Sequence, residues 1–192
     1  MDITEIMQPI QHRIDESHLK QRRVFLWGQV DDRSARHVID RLLLLSATDS
    51  EYGAAHDDVS LIINSPGGAN TAGFAILDTM RSLPCDVRTE CYGLAASFGA
   101  LILLCGASGK RSAHPHSRIM IHQPWIPGEI RAPALDLRIH AAEIEKQRRE
   151  INAIIASVTG NSVDQIEADT DRDRWFDAAE ALRYGLIDSI CE

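Results

Sequence analysis

Residues 59–82 read VSLIINSPGGANTAGFAILDTMRS. Val59 to Ile63 has the character of a strand, with Leu61 and Ile63 on one face and Ile62 on the other, as in a sheet covered on both sides. Asn64-Ser65-Pro66-Gly67-Gly68 then makes a turn. From about Asn70 to Arg81 the apolar residues Ala72, Ala75, Ile76 and Met80 recur at helical spacing. Strand, turn and helix in that order form the unit of an α/β fold, and the rest of the chain repeats the alternation. Upstream, Val24 to Trp27 is a short strand ended by Gly28. Ser34 is placed to cap a helix to about Ser46 that carries Val38, Ile39, Leu42 and Leu45. Residues 47–58 are polar and read as a loop. Residues 1–21 read as irregular or weakly helical, with Met7, Ile10, Ile14 and Leu19 as a loose stripe broken by Pro9.

Downstream, Val87 to Tyr92 is a strand, Ala96 to Leu104 an apolar helix, and Arg118 to Ile121 a strand closed by Pro124. A loop over 125–133 leads into the longest helix, Asp136 to Val158. Its apolar positions Ile144, Ile151, Ile155 and Val158 fit a 3.6-residue period, and Gly160 stands where a terminating glycine belongs. Such a stripe is expected to find part of its cover on neighbouring subunits. Ser162 and Asp177 each open a short helix with capping-box spacing, and Leu186 to Ile190 is a last strand. The class is α/β, one domain without internal repeats.

The chain has 192 residues, 44% hydrophobic and 25% charged, which is ordinary for a globular domain able to bury a core. Lysine and arginine number 20 against 28 acidic residues, a formal charge of −8. That balance argues against a nucleic-acid footprint. Cys85, Cys91, Cys105 and Cys191 form no CxxC pair, and no Cys/His cluster has metal spacing. Asp2 and Glu5 sit where a secretory leader would be basic and then apolar, so a reducing compartment is expected. Residues 91–109 carry no charge, but Gly93, Ser97, Gly99, Gly106 and Ser108 interrupt them. A buried core segment is expected there and not a membrane span.

Three places bear chemistry. Gly67-Gly68, between strand and helix, is either a plain tight turn or a pair of backbone amides aimed at an anion. It has neither GxxxxGK spacing nor the third glycine of a dinucleotide fingerprint. Ser97 lies at the start of an apolar helix in Ala95-Ala96-Ser97-Phe98-Gly99, the setting of a nucleophile elbow but without the first glycine of G-x-S-x-G. An N-cap or core serine fits the pattern as well. His122 is held at a strand end before Gln123-Pro124, as a general base or as a satisfied polar residue. His114 and His116 lack an adjacent acidic partner. Asp169-Thr170-Asp171-Arg172-Asp173-Arg174 is charge-dense and runs into Trp175-Phe176, which must pack. One of its carboxylates is therefore expected beside a histidine.

These segments resemble the ClpP family, the proteolytic subunits of ATP-dependent Clp proteases. The ordered matches are Asn64 to Gly68, Ala95 to Gly99, Gly109-Lys110-Arg111, Met120 to Pro124, Asp169 to Asp173 and Ala178 to Asp188, covering about residues 22–190. The resemblance implies a crotonase-like (ClpP-type) α/β fold with a protruding handle helix, the handle region being about 125–158. Residues 1–21 would form an N-terminal axial segment, and 22–192 the peptidase domain. It implies a catalytic Ser97, His122 and Asp173, with oxyanion-hole amides from Gly68 and Phe98 and no cofactor or metal. Gln123, Asp171 and Arg172 fall at ring-to-ring contacts. Heptameric rings stacked to a tetradecamer, an AAA+ unfoldase of Clp type, unfolded protein and peptide substrates, and a bacterial cytoplasmic setting are implied with them; nucleic acid and membrane are not.

The chain departs from the family's usual pattern in several places. Leu94 replaces a glutamine, and Phe98 a methionine. Residues 125–133 replace a glycine-rich run, and Ser60 and Ile62 stand where two aromatics of the unfoldase-docking pocket are usual, which implies weak docking. These departures suit an active peptidase or, alternatively, a structural or regulatory subunit of a mixed complex with a ClpP paralogue. The scaffold alone would also suit an acyl-CoA hydratase or isomerase.

Overall fold

The structure, a computed structural model, describes residues 3–47, 52–54, 56–125 and 132–192. Helix α1 (Ile3–Lys20) leads into β1 (Arg23–Trp27), α2 (Asp32–Leu45), β2 (Val59–Ser65), α3 (Asn70–Ser82) and β3 (Val87–Ala96). Then come α4 (Phe98–Leu104), β4 (Arg111–Ala113), β5 (Arg118–Ile121) and α5 (Ala134–Thr159). The chain closes with α6 (Val163–Thr170), β6 (Arg174–Phe176), α7 (Ala178–Tyr184) and β7 (Ser189–Ile190). The expected α/β alternation is present. The first segment is a continuous helix through Pro9 rather than irregular chain, with Glu16 and Lys20 paired across one turn at 2.6 Å. The cap of α2 is Asp31, not Ser34. Asp31 accepts from the Ser34 amide at 2.8 Å, and the Ser34 hydroxyl accepts from the Asp31 amide at 2.9 Å. Ser34 is thus the third helical residue of a capping box. At Asp177 the full box forms, whereas Ser162 caps through its own hydroxyl alone.

Seven strands form one sheet in the order β1-β2-β3-β4-β7, all parallel, with β5 branching from β3 and β6 pairing antiparallel to β5. The branch is the feature that builds the site. The first part of β3, Thr89 to Cys91, pairs with β4, and its last part, Leu94 to Ala96, pairs with β5. A single strand therefore hands the chain from one neighbour to another just before Ser97. Periodicity stops the strand near Tyr92, because Gly93 and the small residues after it lack β character. Gly93 takes a positive φ of 83°, and the β5 ladder holds Leu94 to Ala96 extended.

Val24, Leu26, Leu61 and Ile63 of the sheet, Val38, Leu42 and Leu45 of α2, and Ile76 and Leu77 of α3 are all buried in one core. Helix α4 is buried at all seven residues, which accounts for the uncharged run. Among the described residues no helix is long and apolar enough to cross a membrane. The four cysteines are unpaired, and burial pushes the thiols of Cys91 and Cys105 up to about 11.

Helix α5 has two halves. Ile151, Asn152, Ile155 and Ala156 are buried in the same chain, while Ile144 and Val158 of the same stripe are only partly buried. The opposite end projects, with Leu135 71% and Ile139 66% exposed. The helix is about 39 Å long at 1.5 Å per residue, enough to carry this end clear of the core. Residues 126–131, the centre of the loop expected before it, lie outside the described residues.

A charged clasp ties β4 to the C-terminal segment. Arg111, 7% exposed, meets Asp188 through Nη2–Oδ1 at 2.5 Å and Nε–Oδ2 at 2.8 Å, and the same carboxylate accepts from the Arg111 amide. The Arg111 hydrogen bonds outweigh desolvation and hold the Asp188 carboxyl below the usual carboxylate range. Its contribution to stability is complete above the unfolded value near 4 and is lost as pH falls through the lower folded value. Asp188→Asn leaves a buried guanidinium without its counter-charge. It is expected to cost about 3 kcal/mol in urea unfolding at pH 7 and to flatten the loss of stability below pH 4.

Candidate active site

Ser97 is placed by backbone strain. It sits between β3 and α4 with φ 55° and ψ −125°, and it and Arg22 are the non-glycine residues of positive φ among those described. Such a conformation costs about 1–3 kcal/mol and persists only where its surroundings enforce it. Here the Ser97 amide donates to the Met120 carbonyl at 2.9 Å, while the Ser97 carbonyl accepts from Ala100 and Leu101. The residue occupies the N-cap position, but its side chain makes no capping bond, which removes the N-cap reading. Instead the hydroxyl lies 2.7 Å from His122 Nε2.

His122 follows the last residue of β5 and has 15% of its side chain exposed. Its other nitrogen, Nδ1, lies 3.3 Å from Asp173 Oδ1. Asp173 has 61% of its side chain exposed and stands between α6 and β6. The antiparallel pairing of β6 with β5, Ile121 opposite Arg174, brings Asp173 to the histidine. The backbone adds a second tie: the Gln123 amide donates to the Thr170 carbonyl at 2.7 Å. Of the charge-dense run, Asp173 is the carboxylate that turns to the histidine. Asp169 is held instead by Arg174 and by the Tyr184 hydroxyl at 2.6 Å. Phe176 packs in the core as expected, whereas Trp175 remains 47% exposed.

The Gly67-Gly68 turn lies directly against the serine. A Cβ on Gly67, where φ is +86°, would come within 2.7 Å of the Phe98 amide nitrogen and of Ser97 Cβ. That closeness sets the turn beside the first amide after the nucleophile. The Val30 amide donates to the Gly67 carbonyl at 2.9 Å, and the Ala69 amide to the Val30 carbonyl at 2.8 Å, pinning both sides of Gly68. The Phe98 ring meets Phe74 edge-on at 5.0 Å. Gly73 makes room for it, since a Cβ there would fall 2.1 Å from the ring.

Beside Ser97 and His122 lies a small cavity of about 20 Å³ walled by Phe98, Leu101, Ile121, Ile151 and Ile155, with Asn70 as a polar member. Sequence reading places Ile151 and Ile155 on the apolar stripe of the long helix and does not mark Asn70 or Gly73. The available signal was the four-residue spacing of Ile151 and Ile155, which gives a face but not what it faces. Gln123 Nε2 donates to the Asp171 carbonyl at 2.7 Å, and Arg172 is 93% exposed in its side chain. Ser60 is half-buried, and Ile62, 2% exposed, is buried in the sheet. His114 meets the Tyr92 ring in a tilted contact, centroids 4.2 Å apart, and takes no part in this cluster. Among the described residues no three His, Cys, Asp or Glu side chains group as a metal site would need.

A hydroxyl bonded to an imidazole that faces a carboxylate is the arrangement of a serine hydrolase. A sequence profile described as Clp protease matches residues 8–192. The chain is 50% identical over 184 residues to the ATP-dependent Clp protease proteolytic subunit 2 of Thermobifida fusca (strain YX), covering 96% of this chain and 87% of that relative. Against the ATP-dependent Clp protease proteolytic subunit 2 of Nocardia farcinica (strain IFM 10152), identity is 50% over 175 residues, 91% of this chain and 83% of the relative. Half identity along nearly the whole length, in a chain that sets serine, histidine and aspartate in a serine peptidase's order of contact, makes the assignment direct: the chain belongs to the Clp protease family as a proteolytic subunit.

Proposed function

We propose that Ser97, His122 and Asp173 cleave unfolded polypeptide inside a closed chamber through an acyl-enzyme on Ser97. The observation that carries this reading is the 2.7 Å contact between Ser97 Oγ and His122 Nε2. With its proton on Nδ1, His122 donates toward Asp173 and leaves Nε2 to accept the serine proton as Oγ attacks the peptide carbonyl. The imidazolium that forms is oriented and stabilised by Asp173. The Gly68 and Phe98 amides receive the tetrahedral oxyanion, a contribution of about 3 kcal/mol per donor. His122 then gives its proton to the leaving amine, and water frees the acyl group by the same steps.

The chamber reading rests on the projecting end of α5. Leu135, Leu137 and Ile139 leave an apolar surface uncovered, which the handle of a facing ring would bury. Arg172 beside Asp171 supplies a charged contact for the same interface. We extend to this chain seven-fold rings stacked in pairs, residues 1–21 as an axial segment of the 22–192 peptidase domain, a cytoplasmic setting, and delivery of substrate by an AAA+ unfoldase. Ser60 and Ile62 offer no aromatic surface to an unfoldase loop, which favours weak docking by a ring of this chain alone. Both relatives are called proteolytic subunit 2, and a mixed assembly with a second ClpP-type chain would meet that need.

Labelling with a fluorophosphonate followed by peptide mapping tests the active-site assignment. The label is expected on Ser97, and Ser97→Ala is expected to abolish both labelling and peptide cleavage while keeping the assembly's mass. A label on another serine, or none in the assembled protein, would refute it.

Native mass measurement tests the assembly. Fourteen chains of 21.3 kDa give about 298 kDa, and Arg172→Ala is expected to halve that mass and lower peptidase activity. A wild type that stays a single ring while cleaving rapidly would overturn the link between stacking and activity.

A further inference from the structure

The carboxylate that faces His122 is held at one remove. Asp173 is 61% exposed in its side chain and stands in a turn, residues 171–173, between the end of α6 at Thr170 and the start of β6 at Arg174. The two ends of that turn are fixed separately. At one end the buried Thr170 hydroxyl lies 2.8 Å from the Ile166 carbonyl and 3.1 Å from Asn152 Oδ1 of α5. At the other, Arg174 pairs through its backbone with Ile121 of β5.

A pair of side chains joins the ends to each other. The Arg174 guanidinium is ion-paired with Asp169 of α6, so the bridge spans residues 170–173. Asp169 has only 12% of its side chain exposed, and its other carboxylate oxygen accepts from the Tyr184 hydroxyl of α7 at 2.6 Å. The guanidinium also lies over two rings, 4.8 Å from the centre of Tyr184 and 5.2 Å from that of Phe176. Burial pushes the Asp169 carboxyl up, but hydrogen bonds from Tyr184 and Gln165 and the charge of Arg174 outweigh it and hold the group below the usual carboxylate range. Burial and the same carboxylate push the Tyr184 hydroxyl up, so it stays a donor. The clasp therefore keeps the ionisation it needs at neutral pH.

None of the three side chains lines the cavity beside Ser97. Their effect has to pass through the turn. The contact of Asp173 Oδ1 with His122 Nδ1, 3.3 Å, is already at the long end of a hydrogen bond. A small separation of the turn's ends would break it.

We propose that Asp169, Arg174 and Tyr184 are positioning residues that keep Asp173 within reach of His122 by stapling the two ends of its turn. The inference rests on the reading of Ser97, His122 and Asp173 as a triad, because that gives the held carboxylate its task.

Peptidase kinetics on a fluorogenic peptide, with native mass and melting temperature recorded for every variant, test it. Asp169→Asn and Arg174→Met are each expected to lower kcat about tenfold at unchanged KM, a part of the roughly 10⁴-fold loss that follows removal of a triad aspartate. Arg174→Lys restores the charge and is expected to recover most of that loss. Tyr184→Phe removes one hydrogen bond and is expected to lower kcat about threefold; it decides the matter where Asp169→Asn does not fold. In an Asp173→Ala background no carboxylate is left to position, so adding Asp169→Asn is expected to change kcat by less than about twofold. Hydrogen exchange over residues 171–176 is expected to quicken in Asp169→Asn and Tyr184→Phe.

A kcat that stays at the wild-type value while the melting temperature falls would make the cluster a brace of the fold and overturn the proposal. An equal loss on top of Asp173→Ala would overturn it as well. So would a drop to single rings that accounts for the lost activity, since the clasp would then act through Arg172. A wild type that neither cleaves nor takes a fluorophosphonate, with exchange over 171–176 quickened by Asp169→Asn, would uphold the clasp's hold on the turn and refute the peptidase mechanism.

Discussion

The site depends on how β3 ends. Its last three residues, past a shift in register against β2, pair with β5, and the next amide, that of Ser97, is bonded to the carbonyl of Met120. This single ladder sets both catalytic partners, because Ser97 follows β3 and His122 follows β5. The positive φ of Ser97 is sustained between that ladder and the buried helix α4. Asp173 arrives through the next strand pair, β5 with β6. The distance between nucleophile and base is therefore fixed by backbone hydrogen bonds. The aspartate is more exposed and less tightly held, and the protein places its strongest constraint on the step that forms the new bond.

Much of this was legible in the sequence, for physical reasons. Elements that bury a repeating face, such as α2 and α3, are legible by period. Ser97 and His122 were marked because each stands where a regular element stops and its side chain is free to do something else. The extension of β3 past Tyr92 was not legible, since Gly93 to Ala96 become a strand only through a partner more than twenty residues away. Strands β4 and β6 were missed for a similar reason: three residues carry no period, and their pairing supplies the order. The cap of α2 was misplaced because Asp31 and Ser34 both fit the role, and only geometry distinguishes the cap from the third residue of a capping box.

The pocket was the least legible part of the site. Its lining comes from α3, α4, β5 and α5, and each residue looked complete in its own element. Ile151 and Ile155 were read correctly as a face in need of cover. The core of the same chain supplies cover for both, and both also line the small cavity beside Ser97. The same helix thus joins the cavity beside Ser97 at one end to an uncovered apolar end at the other. A displacement of α5 along its axis would be felt at both.

Phe98 and Gly73 carry a consequence for how this sequence can change. The ring and the missing side chain occupy one volume, so neither residue can be exchanged independently. Alanine at 73 would drive a methyl into the ring and force a shift of α3 or α4. A smaller side chain at 98 would leave a void against Phe74 in an otherwise close-packed wall. The two positions form one heritable unit, and among homologous chains a bulky residue at one is expected to accompany glycine at the other. Because Phe98 also lines the cavity beside Ser97, any change made there to reshape that wall has to take Gly73 with it.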